Sequence, residues 1–192
     1  MIKDRKELRY YIDQDRKANK YNPGSKQKIM HFFFPDHIIL FLTRLRKCEY
    51  LGKKRGPINK LFYAYHKIRL KSISIKLGFS IPEHVFGPGL AIPHYGTIVV
   101  NPKAKVGANC RIHVCTNIGA SGGSAAAPQI GDNVYIGPGA KLYGDIIIGN
   151  NNAIAANAAV NKSFIEEGVV IGGVPGKVIG ELGDIKKLIK HI

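Results

Sequence analysis

The sequence predicts a mainly β protein in which an α-helical N-terminal region precedes a parallel β-helix. Two observations favour this fold class: aliphatic residues recur every six positions after Gly78, and apolar residues recur at helical spacing before it. The predicted regions are a basic helical region over 1–78, the β-helix over 79–180 and a short C-terminal helix over 181–192. The length of 192 residues is enough to bury a core.

The six-residue repeat is the strongest signal in the sequence. Its aliphatic positions are Val100, Val106, Ile112, Ile118, Ile130, Ile136, Leu142, Ile148, Ile154 and Val160. Each step is six residues, except for one of twelve between Ile118 and Ile130. A period of six fits neither a helix nor simple strand alternation. It fits short strands joined by tight turns, with three hexads closing one triangular coil and the aliphatic side chains stacked inside.

The first 78 residues show helical patterns instead. The segment from Lys3 to Lys20 is polar, with apolar residues close to helical spacing. A second helix is predicted after Pro35, and a third from Pro57 to Gly78, because proline is favoured in the first turn of a helix.

The net charge of +16 is concentrated in the N-terminal part of the chain. Residues 1–80 hold 20 basic and 6 acidic residues, whereas residues 81–192 hold 9 and 7. A basic region of this kind fits an anionic membrane surface or an anionic cofactor, or simply solvated faces of amphipathic helices. Nucleic acid is not expected as a partner, because no recognition-helix pattern or zinc spacing accompanies the charge.

Cysteine usage favours a cytoplasmic protein. Cys48, Cys110 and Cys115 cannot all pair within one chain, and no secretory h-region opens the sequence. Cys110 and Cys115 are interpreted as small residues packed in or on the coils, because no paired base accompanies either thiol.

The repeat loses register at two places, which are the candidate functional segments. The first is IPHYGTIVV, where the phase of the aliphatic residues shifts by two positions. The second is Gly119–Gln129, a loop of Gly, Ala and Ser that is interpreted as replacing the hexad expected at position 124. Loops that leave a rigid scaffold often carry function, and small residues let such a loop lie against a ligand.

Three histidines lie in or near the coils: His84, His94 and His113. His94 is the first choice for a general base, because the register break frees its side chain from the inward–outward pattern and imidazole removes hydroxyl protons near neutral pH. A surface histidine in a turn is the alternative, and His113 is the second choice for the base. No metal is predicted, because the separations of the three do not both match whole coils and no carboxylate is placed to orient each ring.

Five features together resemble the serine acetyltransferase branch of the hexapeptide-repeat acyltransferases. They are the hexads, the PHYG break, the loop after Ile118, the stretch IGPGAKLYG and the closing GGVPGKVIG. The likeness covers roughly residues 81–180. It implies a left-handed parallel β-helix, a homotrimer, and acetyl-CoA bound in the groove between neighbouring β-helices. It also implies that His94 is the catalytic base that deprotonates the acceptor hydroxyl.

The same resemblance implies contacts to acetyl-CoA. The matching residues are Gly119, Ala120, Pro138, Gly139, Ala156 and Lys177. The first two fall on the loop that lines the pantetheine arm, and the next three on coil edges of the same groove. The last lies in the closing motif near the nucleotide, where a lysine suits the phosphates of CoA.

Three departures from the family pattern bear on the acceptor. Phe79 stands where the family has the aspartate that orients the catalytic histidine, and Pro93 replaces the aspartate before that histidine. Ala126 and Ala127 replace an Arg-His pair that holds the amino acid. A neutral acceptor needs no such charged groups, so the expected function is O-acetylation of a sugar hydroxyl in surface-polysaccharide biosynthesis.

Two alternatives remain at this point. One is serine O-acetylation in cysteine biosynthesis. The other is a non-catalytic β-helix scaffold whose basic helices dock a membrane or a protein partner. For the basic region itself, contact with the inner face of an anionic membrane stands beside a simple solvated cap on the β-helix.

Overall fold

The computed structural model describes residues 2–21, 34–123 and 125–192. Three α-helices come first: α1 (Arg5–Ala18), α2 (His37–Leu51) and α3 (Pro57–Leu77). The strands that follow are β1 Phe79–Ser80, β2 Ile98–Val100, β3 Lys105–Val106, β4 Arg111–Ile112, β5 Thr116–Gly119, β6 Gln129–Ile130, β7 Tyr135–Ile136, β8 Lys141–Tyr143, β9 Ile147–Ile148, β10 Ala153–Ile154, β11 Ala159–Val160, β12 Val169–Gly172 and β13 Lys177–Glu181.

Local sequence signals set the helix boundaries. The carboxylates of Asp4 and Asp36 accept backbone N–H groups in the first turns of α1 and α2, at 2.8 and 2.9 Å. Pro57 occupies the first turn of α3, and Gly78 ends that helix in the left-handed conformation with φ +76°. The second and third helices therefore begin and end within two residues of the sequence prediction. Among the described residues, no helix is long and apolar enough to cross a membrane.

The short strands form three sheets that make the sides of a triangular prism. Face A has the order β1-β2-β5-β8-β11, face B the order β3-β6-β9 and face C the order β4-β7-β10-β12-β13. Ile98 pairs with Thr116, and Gln129 pairs with Ile147, an offset of 18 residues in both cases. That offset is three hexads, so the predicted coil is confirmed. The repeat aliphatics fill the interior, where Ile118 and nine others are at most 5% exposed.

Both register breaks lie at corners between faces. Phe86 bridges to Val106, an offset of 20 residues, so two extra residues enter before Ile98 in the first break. Arg111 pairs with Tyr135, an offset of 24, so the loop at 120–128 adds six residues between faces A and B. The interpretation that this loop replaces a hexad was wrong: it is an insertion at a corner, which leaves the strands of each face in register.

The C-terminal segment folds back against the prism. β13 pairs antiparallel with β12, and the predicted helix over 181–192 reduces to one 3-10 turn at Ile185–Lys187. Gly183 and the few residues after it give too short a segment for a stable helix. Tertiary contacts hold the segment instead, since Ile189 is fully buried and Arg111 donates to the carbonyl of Leu188 at 3.1 Å.

A buried ionic cluster of Asp15, Arg46 and Glu49 joins the helices to the first coil. The Arg46 guanidinium contacts Asp15 at 2.7 Å and Glu49 at 3.0 Å, and all three side chains are at most 3% exposed. Burial alone would lower the pKa of Arg46, but the two carboxylates outweigh that effect and raise it. The guanidinium therefore stays charged in the core, as a fully paired buried cation must.

The same cluster satisfies backbone groups of the first coil. Arg46 donates to the carbonyls of Phe86 and Gly87 at 2.8 and 2.7 Å. Asp15 accepts the N–H groups of two residues that follow, at 2.9 Å each, and Glu49 accepts another at 2.8 Å. Side chains thus replace the hydrogen bonds that a further coil would make.

We predict that Arg46→Leu lowers the free energy of unfolding by about 3–5 kcal/mol, because it leaves two buried carboxylates without a cation. The matched control is Lys67→Met, which breaks the exposed Lys67–Glu83 pair and is expected to cost less than about 1 kcal/mol. Urea unfolding followed by circular dichroism measures both. Equal losses in the two variants would contradict a central role for the cluster.

Candidate active site

The corner between faces C and A forms an edge of the prism that we call the histidine edge. It comprises residues 93–97, 113–115, 137–140, 155–158 and 173–176. Backbone hydrogen bonds stack successive turns of this edge: Gly139 N–H donates to the carbonyl of Val114, and Asn157 N–H donates to that of Pro138, both at 2.9 Å. The turns therefore form a continuous line along the prism axis.

Five of the seven predicted site residues lie on or directly beside this edge: His94, Pro138, Gly139, Ala156 and Lys177. The other two, Gly119 and Ala120, lie at the corner between faces A and B, where the Gly144 N–H donates to the Gly119 carbonyl at 3.0 Å. A single chain thus separates the predicted pantetheine loop from the other residues by the width of face A.

The backbone of the histidine edge requires small residues. Gly139 has φ +77°, and a Cβ at this position would clash with the side-chain amide of Asn157. Asn157 has φ +58°, a conformation that asparagine tolerates better than most residues. With Pro138 and Ala156 exposed beside them, these turns present a surface with little side-chain bulk. A ligand can therefore approach the backbone closely.

His94 is exposed at the start of the edge, on the turn formed by the first register break. The turn is fixed to the helical region, because the Gly96 N–H donates to the carbonyl of Leu77 at 2.9 Å. Among the described residues, no carboxylate hydrogen-bonds the His94 ring. Phe79, which stands at the position of the family's orienting aspartate, is a core residue packed edge-to-face on Phe41 with ring centroids 5.2 Å apart.

His113 lies one turn further along the edge, with its ring centroid 6.4 Å from that of His94. Its Nε2 accepts from Nε of Arg111 at 3.3 Å, and its ring packs on Tyr135 with centroids 5.1 Å apart. Burial, together with the charge of Arg111 and the nearby His94, lowers the pKa of His113 to about 4. The ring is neutral at pH 7, and its bond to Arg111 places the remaining proton on Nδ1.

This environment separates the roles of the two histidines. A base works best when its pKa lies near the working pH, so the lowered pKa makes His113 a poor general base. It leaves His113 as a neutral N–H donor close to His94. Sequence analysis ranked the two residues but missed Arg111, although the residue before each repeat aliphatic points outward and Arg111 holds that position.

The other candidates lie away from the edge. His84 has a structural role, because its N–H donates to Glu49 and its carbonyl accepts from Lys105 at 2.9 Å. Burial raises the pKa of the Cys48 thiol to about 12 and also raises that of Cys110. In the described part of the chain, no group of three or more His, Cys, Asp or Glu side chains could hold a metal ion.

A cavity of about 290 Å³ lies next to Pro93, directly behind the His94 turn. Its charged lining comes from four separate segments: Lys20, Asp36, Arg111 and Lys190. Three cations and one carboxylate thus surround a space beside the candidate base. No local sequence pattern marks this cavity, because its residues are far apart along the chain.

Comparisons with known proteins agree with this architecture. Residues 127–162 match the family described as bacterial transferase hexapeptide (six repeats). A solved hexapeptide-repeat serine O-acetyltransferase from Brucella melitensis is 30% identical, with a TM-score of 0.64, and the match covers 92% of this chain and 67% of that one. The chain belongs to the hexapeptide-repeat acyltransferases, on their serine acetyltransferase-like branch.

Further relatives support the same branch and the left-handed β-helix of this hexapeptide-repeat acyltransferase. The serine acetyltransferase of Brucella abortus strain S19, solved in complex with coenzyme A, is 29% identical with a TM-score of 0.72, covering 93% of this chain and 70% of that one. The serine acetyltransferase of Mycobacterium tuberculosis is 41% identical over 102 residues, which are 52% of this chain and 44% of the relative. The chain spans about half the length of the curated relatives it matches.

We predict that the ring of His113 titrates with a midpoint at about pH 4. Replacing Arg111 by Met removes a positive charge beside the ring and raises the midpoint, whereas Lys105→Met, on face B, leaves it unchanged. Histidine ring chemical shifts measured by NMR between pH 3 and pH 8 report both values. A midpoint near the ordinary value of about 6.5 would mean that the ring is not held in this environment.

Proposed function

We propose that the protein is an acetyl-CoA-dependent O-acetyltransferase in which His94 acts as the general base. The observation that carries this proposal is the position of His94, exposed at one end of a line of small-residue turns that ends at Lys177. Support comes from membership of the hexapeptide-repeat acyltransferases and from the coenzyme A complex of the Brucella abortus relative.

In the proposed reaction, His94 takes the proton of the acceptor hydroxyl as the oxygen attacks the thioester carbonyl. The tetrahedral intermediate then collapses to the acetyl ester and expels the CoA thiolate, which takes the proton back from His94. A neutral His113 adds no like charge beside His94 when the latter becomes protonated. Its Nδ1–H also remains available as a hydrogen-bond donor in the site.

The histidine edge fits the long, narrow shape of CoA. Pro138, Gly139 and Ala156 present little side-chain bulk, so the pantetheine arm can lie against their backbone. Lys177 is exposed at the far end of the edge, where its ammonium group suits the phosphates of the nucleotide. When bound, acetyl-CoA supplies the activated acetyl group.

The loop residues Gly119 and Ala120 reach the same cofactor only if a second protomer contributes them. They lie across face A from the histidine edge, so a neighbouring copy must bring its A–B corner to that edge. Three prisms arranged in a ring repeat this contact three times and close the assembly. We therefore expect a homotrimer with one acetyl-CoA site at each subunit boundary.

Serine is the acceptor that the relatives favour, since those compared above are named serine acetyltransferases or serine O-acetyltransferase. The cavity beside Pro93 supports this choice, because Arg111 and Lys190 could bind a carboxylate while Asp36 binds an ammonium group. A sugar hydroxyl is the second candidate. It is favoured by Ala126 and Ala127, which bring no charged side chain to the loop.

We predict that His94→Ala lowers turnover by about 10²–10⁴-fold and leaves the Kd for acetyl-CoA nearly unchanged, because the base acts on the hydroxyl and not on the cofactor. His84→Asn is the matched control, since asparagine tolerates the positive φ at that position and turnover should persist. Thiol release measures turnover, and calorimetry measures binding. Normal turnover in His94→Ala with loss in His113→Ala would assign the base to His113.

We predict that L-serine is acetylated with a kcat/KM at least about tenfold above that of neutral hexoses, because only the amino acid can pair with both signs of charge in the cavity. The variant Arg111→Met should raise the KM for serine and leave the KM for acetyl-CoA unchanged. Mass spectrometry of the products identifies the ester. Preferential acetylation of the hexoses, with no effect of Arg111→Met, would establish the sugar reading instead.

A further inference from the structure

Helix α3 exposes an apolar surface on the side that faces away from the protein. Its inward side chains are His66, Leu70, Ile73 and Leu77, all at most 9% exposed. On the other side, six large apolar residues are 50–71% exposed: Ile58, Leu61, Phe62, Tyr65, Ile68 and Ile75. We call these six residues the α3 stripe. Soluble monomers rarely keep so many large apolar side chains together in water.

The α3 stripe is a continuous surface along the helix. Ile58, Leu61, Tyr65, Ile68 and Ile75 follow alternating steps of three and four residues, apart from Ser72, which holds the position before Ile75. At 1.5 Å per residue, the distance from Ile58 to Ile75 is about 25 Å. In the ranges 2–21, 34–123 and 125–192, no element covers this surface.

Positive charge surrounds the α3 stripe. Between Lys53 and Lys76 the sequence holds eight basic residues and no acidic residue. By helical spacing, Lys60 and Lys71 lie on one side of the stripe, and Arg69 and Lys76 lie on the other. These four side chains are exposed, so they can extend beside an apolar layer while their charges stay at its polar boundary.

This charge pattern decides between the possible occupants of the stripe. A second copy of α3 would bring a second set of lysines and arginines against the first, and like charges at close range repel. An anionic lipid surface instead supplies phosphates for the basic side chains and an apolar interior for the stripe. We infer that α3 lies flat on an anionic membrane surface, with the stripe inserted at the level of the acyl chains.

Docking of α3 would also orient the candidate active site. The carbonyl of Leu77, the last residue of α3, accepts the Gly96 N–H of the turn that carries His94. Because the helix and this turn are joined directly, the membrane holds the His94 end of the histidine edge close to the lipid headgroups. The inference does not depend on the proposed acetyl transfer, since it uses only the exposed residues of α3.

Vesicle co-sedimentation tests this inference. We expect the purified protein to pellet with vesicles of phosphatidylcholine and phosphatidylglycerol at about 0.1 M salt, and not with phosphatidylcholine alone. Raising the salt to about 1 M shortens the Debye length from about 10 Å to about 3 Å, so the bound fraction should fall. Failure to bind the anionic vesicles at the lower salt concentration would overturn the inference.

A matched pair of variants locates the contact. The variant Leu61→Ser/Ile68→Ser removes two side chains of the stripe and should weaken vesicle binding about tenfold or more. The control Ile147→Ser/Ile165→Ser removes two isoleucines that are 53% and 73% exposed on the β-helix, and it should bind as the unchanged protein does. Equal binding by the two variants would overturn the assignment to α3.

Analytical ultracentrifugation excludes the competing occupant. We expect the same molecular mass for the unchanged protein and for Leu61→Ser/Ile68→Ser, with both retaining acetyl-CoA affinity. A lower mass for the variant would show that the stripe packs against another copy of the chain, which would overturn the membrane inference and leave the proposed function untouched.

Discussion

The contact of Arg46 with Asp15 and Glu49 is the interaction on which the rest of the structure depends. A parallel β-helix must end somewhere, and its first coil leaves carbonyl and N–H groups that no further coil can satisfy. The guanidinium and the two carboxylates satisfy five of these groups with charged hydrogen bonds inside the core. Because the partners come from α1 and α2, the helices are fixed on the prism, and with them the turn that carries His94.

Much of the fold could be predicted because its signals are local. Ten aliphatic residues at fixed spacing determine the coils, and the two breaks in that spacing mark the corner that carries His94 and the corner that carries the loop. The insertion at 120–128 could not be told from a replaced hexad, since a step of twelve residues fits both. The Arg46 cluster escaped prediction because its partners lie 31 and 40 residues away along the chain.

The candidate site shows the same division. His94 is marked by its break in the repeat, whereas the state of His113 depends on burial and on Arg111, and no linear pattern reports the two together. The cavity beside Pro93 combines the end of α1, the start of α2, the first coil and the C-terminal segment. Local sequence therefore predicts where the chemistry is placed. The choice of acceptor depends on long-range packing, which is why the sequence and the relatives favour different acceptors.

The corner position of the 120–128 insertion has a consequence for how such proteins can diversify. Strands on both sides of the loop keep their register, so residues can be added or removed there without shifting any side chain from the inside of the prism to the outside. The cost is the entropy of closing a longer loop, about 0.6 kcal/mol for each doubling in length. Ligand contacts at this corner can therefore change through many loop lengths and sequences while one unaltered core continues to fold.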